Sequence, residues 1–158
     1  MTSNLKQFFF KYFVYPLARL YWKVFSPRTI GARAILLFEN KILLVKNLNL
    51  PYWTMPGGGL DRRETPEQCL RRELKEELAI SIENIECQLG TYRSSKEGKR
   101  DEIHVFVVRL LSNKFEKQWE LADAVWFLFD DLPENISQAT LRRIEEYSEG
   151  KRNIEEVW

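Results

Sequence analysis

The chain has 158 residues, with 24 Lys+Arg against 23 Asp+Glu and 44% hydrophobic residues. That length supports one domain with its own core, and a net charge of +1 lacks the basic excess of a dedicated nucleic-acid binder. Two cysteines, Cys69 and Cys87, with no CxxC pair exclude a disulfide framework and point to a reducing, cytoplasmic setting.

The charge is unevenly spread. Residues 1–38 hold six basic residues (Lys6, Lys11, Arg19, Lys23, Arg28, Arg33) and no acidic one, which leaves 18 basic against 23 acidic in the remainder. Nine of the 21 aromatic residues lie between Phe8 and Phe25. Lys11, Arg19 and Lys23 interrupt any run of the ~20 apolar residues a membrane span needs, and no small-residue cleavage site marks a signal peptide. At about 100° per residue, Phe9, Phe10, Phe13, Val14, Leu17, Leu20, Tyr21 and Val24 share one side and the three basic residues the other. Residues 5–25 therefore predict an amphipathic helical segment, kinked or restarted at Pro16. Two readings stay open for it: docking on its own domain or at a homodimer contact, or peripheral contact with an anionic membrane surface. Ser26-Pro27 marks the boundary with the main domain, so the chain divides into a segment 1–27, a domain 28–150 and a tail 151–158 that carries no signal of its own.

Gly31–Phe38 and Lys41–Lys46, separated by Glu39-Asn40, predict two strands joined by a tight turn. Arg33 lies inside the first and is either on an outward face or turned to a phosphate in a cleft. Met55-Pro56-Gly57-Gly58-Gly59 carries too much glycine for a strand interior and predicts a loop. Thr65-Pro66-Glu67-Gln68 is a helix opening, with a capping Thr, Pro at the first helical position and Gln completing a capping box. The helix runs to Leu78 on a stripe of Leu70, Leu74 and Leu78. Strands follow at Ile85–Ser95 and Glu102–Leu111, joined by a polar connection containing Gly98, then at Ala124–Phe129. Ser137 caps a last helix over Gln138–Tyr147. Strands around one central helix with a second helix late predict an α/β domain, a three-layer α/β/α sandwich on a mixed sheet.

The chemistry lies on the first helix of that domain. Glu73, Glu76 and Glu77 fall at i, i+3 and i+4, within about 100° of one face. Three converging carboxylates are what a hard divalent cation takes, since Mg²⁺ and Mn²⁺ prefer oxygen ligands, although an acidic solvated face has the same spacing. Gly57-Gly58-Gly59 just upstream lets backbone approach a ligand, and an Arg72–Glu64 pair can tie that loop to the helix.

Gly58, five residues, Glu64, seven residues, then Arg72-Glu73-Leu74-Lys75-Glu76-Glu77-Leu78-Ala79-Ile80 resembles the Nudix box of the Nudix hydrolases, G-x5-E-x7-R-E-U-x-E-E-x-G-U with U a bulky aliphatic residue. Eight of the nine fixed positions match; Ala79 stands where the family has glycine, which touches the helix ending and removes no ligand. Arg63 stands where many members have glycine. A looser likeness extends from Gly31 to about Ile144.

The resemblance implies a Nudix-like α/β/α fold and a metal-dependent pyrophosphohydrolase that cleaves a phosphoanhydride in a nucleoside diphosphate linked to another moiety. It implies Mg²⁺ or Mn²⁺ held by Glu73, Glu76 and Glu77 with the Gly57 carbonyl, oriented by Glu64 and Arg72. The general base is Glu73 or an acid brought by a loop, Glu120 foremost, with Asp123, Asp101 and Glu102 behind it. Arg33, Arg93 and Arg100 are the candidate substrate-binding residues. His104 reads as structural and Cys69 as a small core residue. Substrate markers are missing: Lys96 stands where the ADP-ribose hydrolases have proline, and Pro56-Gly57-Gly58 departs from the RNA 5′-pyrophosphate hydrolases. The alternative is a Nudix-fold module that binds or senses a nucleotide without cleaving it, and the retention of all three acids favours the enzyme.

Overall fold

Along β1 (Arg28–Phe38) the side chains alternate between two cores. Ala32, Ala34 and Leu36 pack on one face of the sheet, and Ile35 and Leu37 on the other. A strand buried on both sides needs apolar residues at both parities, and this run supplies them. The computed structural model describes residues 28–94 and 100–157. The expected N-terminal amphipathic helix, and Lys96 and Lys99 of the polar connection, lie outside the described residues. Among those described, no helix is long and apolar enough to cross a membrane.

β2 (Lys41–Asn47) returns antiparallel to β1, with Leu36 opposite Leu43 and Phe38 opposite Lys41. The predicted loop at Met55–Gly59 contains instead a short strand, β3 (Gly57–Gly59), antiparallel to the first part of β1. Its lack of side chains is what admits it: a Cβ on Gly57, at φ 124°, would stand 2.3 Å from the Ala32 carbonyl oxygen. The domain continues with α1 (Pro66–Leu78), β4 (Cys87–Ser94), β5 (Arg100–Arg109), β6 (Leu121–Leu128), α2 (Gln138–Ser148) and β7 (Ile154–Val157). The strand order is β6-β2-β1-β5-β4-β7, with β3 on β1. β1 pairs parallel to β5 and β4 parallel to β7, and the remaining pairs are antiparallel. β6 begins at Leu121, earlier than its sequence pattern suggests, because Leu121 fills the core under α1. β7 falls in the tail that carried no signal; it covers the outer edge of β4.

α1 and α2 close the two faces. Leu70, Leu74 and Leu78 are fully buried on the α1 side, and Ile144 anchors α2 on the other. The capping box forms as read: Thr65 Oγ1 accepts from the Gln68 amide at 3.2 Å and Gln68 Oε1 from the Thr65 amide at 2.9 Å. α2 also docks through charge that its sequence did not announce. Arg143 lies under the sheet, 3.8 Å from the Tyr92 ring centroid and 2.7 Å from Glu146 Oε1, while the Tyr92 hydroxyl donates to Glu146 Oε2 at 2.7 Å.

Candidate active site

α1 carries its acids along the rim of β3. Arg72 is the hub. Its Nε donates to Glu64 Oε1 at 3.0 Å and its Nη2 to Glu64 Oε2 at 2.9 Å, a two-bond clasp. Nη1 donates to Glu73 Oε1 at 2.7 Å and to Glu76 Oε2 at 3.0 Å, and Nη2 also reaches the Gly59 carbonyl at 3.0 Å. Asp61, which the sequence did not single out, adds an ion pair at 3.5 Å. The clasp with Glu64 foremost raises the basicity of the guanidinium, and the same bond holds the Glu64 carboxyl below its ordinary range. The clasp locks the loop after β3 onto the helix.

Glu77 is the buried member of the acidic set, 8% exposed. Its Oε2 accepts from the Gly57 amide at 2.9 Å. Burial pushes its carboxyl up to about 7, with Glu73 and Glu120 adding to the rise while the Gly57 amide and Arg33 oppose it. Glu73 lies against the glycine strand: a Cβ on Gly58 would stand 2.3 Å from the Glu73 carboxyl. Glu120 is exposed, yet the chain brings it within electrostatic reach of Glu77. It does so because the Glu116 and Gln118 amides donate to the Leu78 and Glu77 carbonyls, both at 2.9 Å, satisfying groups that a helix end leaves open.

Oxygen donors alone and an excess of negative charge fit a hard divalent cation. Among the described residues no three His, Cys, Asp or Glu groups form a ready cage, and the Arg72 guanidinium bridges Glu73 and Glu76. Glu73 nevertheless lies close enough to add to the rise at Glu77, and a cation would relieve this. The residues fit the metal that the box implies.

The other candidates are placed as follows. Arg33 pairs with Gly57 across the β1–β3 ladder. It turns neither outward nor into the α1 core, but lines a cavity of about 230 Å³ between the sheet and the start of α2. Its opposite neighbour on β5 is Val105. Arg100 lies five positions before Val105, roughly 17 Å along the strand, so it is not brought to Arg33. Arg93 is engaged elsewhere, donating to Glu102 at 2.9 Å and reaching Glu155 at 3.6 Å. Asp101 accepts from Thr29, and Asp123 turns back on the Ala124 amide. His104 sits among Gln88, Thr91 and Glu102 at 3.3–3.4 Å, in keeping with a structural part. Cys69 is fully buried, its thiol 3.3 Å from the Gly59 carbonyl, and burial pushes it up to about 11. A larger opening of about 450 Å³ between Ala79–Asn84 and the end of β5 holds none of the three glutamates. Sequence reasoning missed Asp61, and it left open whether Arg33 faces outward or a cleft. Asp61 was hidden among surface acids, and the cavity beside Arg33 is lined by residues from three separate stretches of chain.

The family model for the NUDIX domain matches residues 27–147. The chain is similar to the ADP-ribose pyrophosphatase of Methanocaldococcus jannaschii, 27% identical over 117 residues that cover 71% of this chain and 69% of the relative. It is also similar to a Bacillus subtilis (strain 168) protein carried under the provisional name 8-oxo-dGTP diphosphatase, 30% identical over 128 residues, 80% of this chain and 84% of the relative. The solved structure of a MutT NUDIX hydrolase from Burkholderia pseudomallei superposes with a TM-score of 0.67 at 27% identity, covering 75% of this chain and 97% of that one. With the domain model spanning nearly the whole described sheet and both helices, the chain belongs to the Nudix hydrolase family.

Proposed function

We propose that this protein is a divalent-metal-dependent pyrophosphohydrolase that cleaves a phosphoanhydride bond in a nucleoside diphosphate linked to another moiety. One observation carries the reading: the buried Glu77 carboxylate, held on the Gly57 amide at 2.9 Å, stands beside Glu73 on a helix that the Arg72–Glu64 clasp locks in place. Glu73, Glu76 and Glu77, with the Gly57 carbonyl, would hold Mg²⁺ or Mn²⁺. When bound there, the cation supplies neutralising charge to phosphate oxygens and makes water a better nucleophile.

The chain's own residues do the rest. Glu64 and Arg72 fix the helix against the glycine strand, as outer partners of a metal site do. Glu73 or Glu120 accepts the proton of the attacking water. Glu73 is nearer the glycine strand, and Glu120 reaches the same field from the segment laid over the end of α1. The similar proteins named for ADP-ribose and 8-oxo-dGTP share a phosphoanhydride attached to a nucleoside, and that shared element is the substrate class assigned here.

The test is a screen of nucleoside diphosphate derivatives with Mg²⁺ and Mn²⁺, reading phosphate released after phosphatase coupling. Turnover is expected only with metal, and Glu76→Gln or Glu77→Gln is expected to lower kcat by ~100-fold or more, since charge stabilisation in the transition state is lost. Glu77→Gln keeps an acceptor for the Gly57 amide and removes a costly buried charge, so its melting temperature should not fall. Full turnover in EDTA, or by either variant, overturns the mechanism.

A further inference from the structure

The strand directions gather several chain segments at one end of the sheet. β1 starts there at Arg28, opposite Arg100 at the start of the parallel β5. On the other side of β1, the Leu60 amide donates to the Ile30 carbonyl at 2.9 Å, so the turn at Arg62 and Arg63 closes beside the same strand start. β2 finishes at this end with Asn47, opposite Leu121 at the start of β6. That pairing brings in Leu48 after the one strand and Trp119 and Glu120 before the other. The residues preceding β1 therefore lead into the domain between the Arg62–Arg63 turn and Arg100.

The end is rich in exposed apolar and basic groups. Leu48 is 62% exposed and Trp119 79%. Arg62, Arg63 and Arg100 are exposed and enter no ion pair among the described residues. Most acids here are answered locally: Asp61 and Glu64 turn to Arg72, Asp101 accepts from Thr29, and Glu102 accepts from Arg93. Glu67 sits in the first turn of α1, where a helix end favours negative charge. Glu120 and Glu156 stand away from β1, beside the edge strands β6 and β7. The sequence that leads in is basic and aromatic as well. Residues 1–27 contain Lys6, Lys11, Arg19 and Lys23, no acid, and nine aromatic residues between Phe8 and Phe25. The polar side of a helix laid on its own domain usually mixes both signs, whereas a basic side opposite a broad aromatic one is the pattern of a membrane-surface segment.

We infer that residues 1–27 and this end of the sheet form one docking surface for an anionic lipid bilayer. Trp119, Leu48 and the aromatic residues of the segment supply the apolar contact, and Arg62, Arg63 and Arg100 meet lipid phosphates. The two parts reinforce each other, since a single apolar anchor holds a membrane weakly and an adjoining basic patch makes the attachment stable. Nucleic acid is the other polyanion such a patch could meet, but a net charge of +1 and the apolar side of the segment favour lipid. Gly58 pairs with Ala32, four positions from Arg28, roughly 13 Å along the strand. Docking thus holds the glycine strand and its acidic helix close to the bilayer. It concerns where the protein works and does not rest on the hydrolase reading.

The experiment is flotation of the full-length protein with vesicles of equal parts phosphatidylcholine and phosphatidylglycerol, and with phosphatidylcholine alone, at low and high salt. Binding to the anionic vesicles at low salt, released at high salt and much weaker on the neutral ones, is expected. Arg62→Gln combined with Arg100→Gln should weaken it at least fivefold, because each basic residue at such a surface contributes about fivefold. Phe9→Ser combined with Phe13→Ser should weaken it at least tenfold and leave the melting temperature unchanged. Should the phenylalanine variant not fold, the arginine pair decides. Four results overturn the inference: full-length protein that floats with neither vesicle, equal binding to both, undiminished binding of the folded arginine variant, or a phenylalanine variant that melts lower yet binds as before. Retention on an RNA homopolymer that anionic vesicles do not compete away also overturns it, in favour of nucleic acid. No turnover is read, so the hydrolase reading stands or falls separately.

Discussion

Arg72 and Glu64, eight residues apart, are joined by two parallel hydrogen bonds at 3.0 and 2.9 Å. The pair spans the loop between the glycine strand and α1, and Nη1 of the same guanidinium carries the Glu73 and Glu76 carboxylates. One side chain thus sets both the helix position and the orientation of two acids. Arg72→Ala and Glu64→Gln are each expected to lower activity by about 10- to 100-fold, the range for partners that orient metal ligands. The double variant should lose less than the product of the singles, because both changes break one clasp. Independent, multiplicative losses in the cycle would show that the two residues act separately.

Gly58→Ala is expected to displace Glu73 without unfolding the domain. The added Cβ would meet the Glu73 carboxyl at 2.3 Å, and that group is the far end of a flexible side chain, so it moves rather than the backbone. Misplacing a reacting group by about 1 Å can cost ~100-fold in rate. Gly59→Ala is the control, since its Cβ would meet nothing nearer than 4.0 Å. Steady-state kinetics should show a fall for the first and near-native turnover for the second. Equal rates for both would remove Glu73 from the reaction.

Ala79 ends α1 at φ 54° and ψ 27°, with its amide bonded to the Lys75 carbonyl and the next amide, of Ile80, to Leu74. An L-residue in the left-handed region pays about 1 kcal/mol or more that glycine does not. Ala79→Gly should therefore stabilise the protein by ~1 kcal/mol, raising Tm by roughly 2–4 °C for a chain of this size. Thermal unfolding followed by circular dichroism measures it. An unchanged or lowered Tm would show that the cap is not strained.

Cys69 should be inert in the native protein. Its thiol is pushed from 9.0 up to about 11, so at pH 8 the reactive thiolate fraction falls about a hundredfold. A folded acid whose pKa is raised gives up stability as pH climbs from the unfolded value towards the folded one. The contribution is thus intact below pH 9 and lost between about 9 and 11. Iodoacetamide at pH 8 should modify Cys69 only after denaturation, whereas the partly exposed Cys87 reacts first. Rapid native alkylation of Cys69, located by peptide mass, would contradict the buried placement.

The sequence by itself determined what is local or periodic. Thr65-Pro66-Glu67-Gln68 carried its own capping chemistry. The four-residue leucine spacing named the buried face of α1, and the fixed intervals from Gly58 to Glu77 put three carboxylates and their arginine on one helix. Such features depend on neighbours a few residues away, so they survive without the rest of the chain. Tertiary structure decided whatever depends on distant partners. Gly57–Gly59 became a strand because β1 lay free to pair with a backbone lacking side chains. Leu121 and Ile154 joined strands because a core and an edge needed covering. Glu77 acquired its burial only when α1 met β3, and Arg33 its cavity only when the segment after β2 and the start of α2 met the sheet. The alternation along β1 names two faces for its side chains, and which face closes over a pocket is set by segments more than a hundred residues downstream.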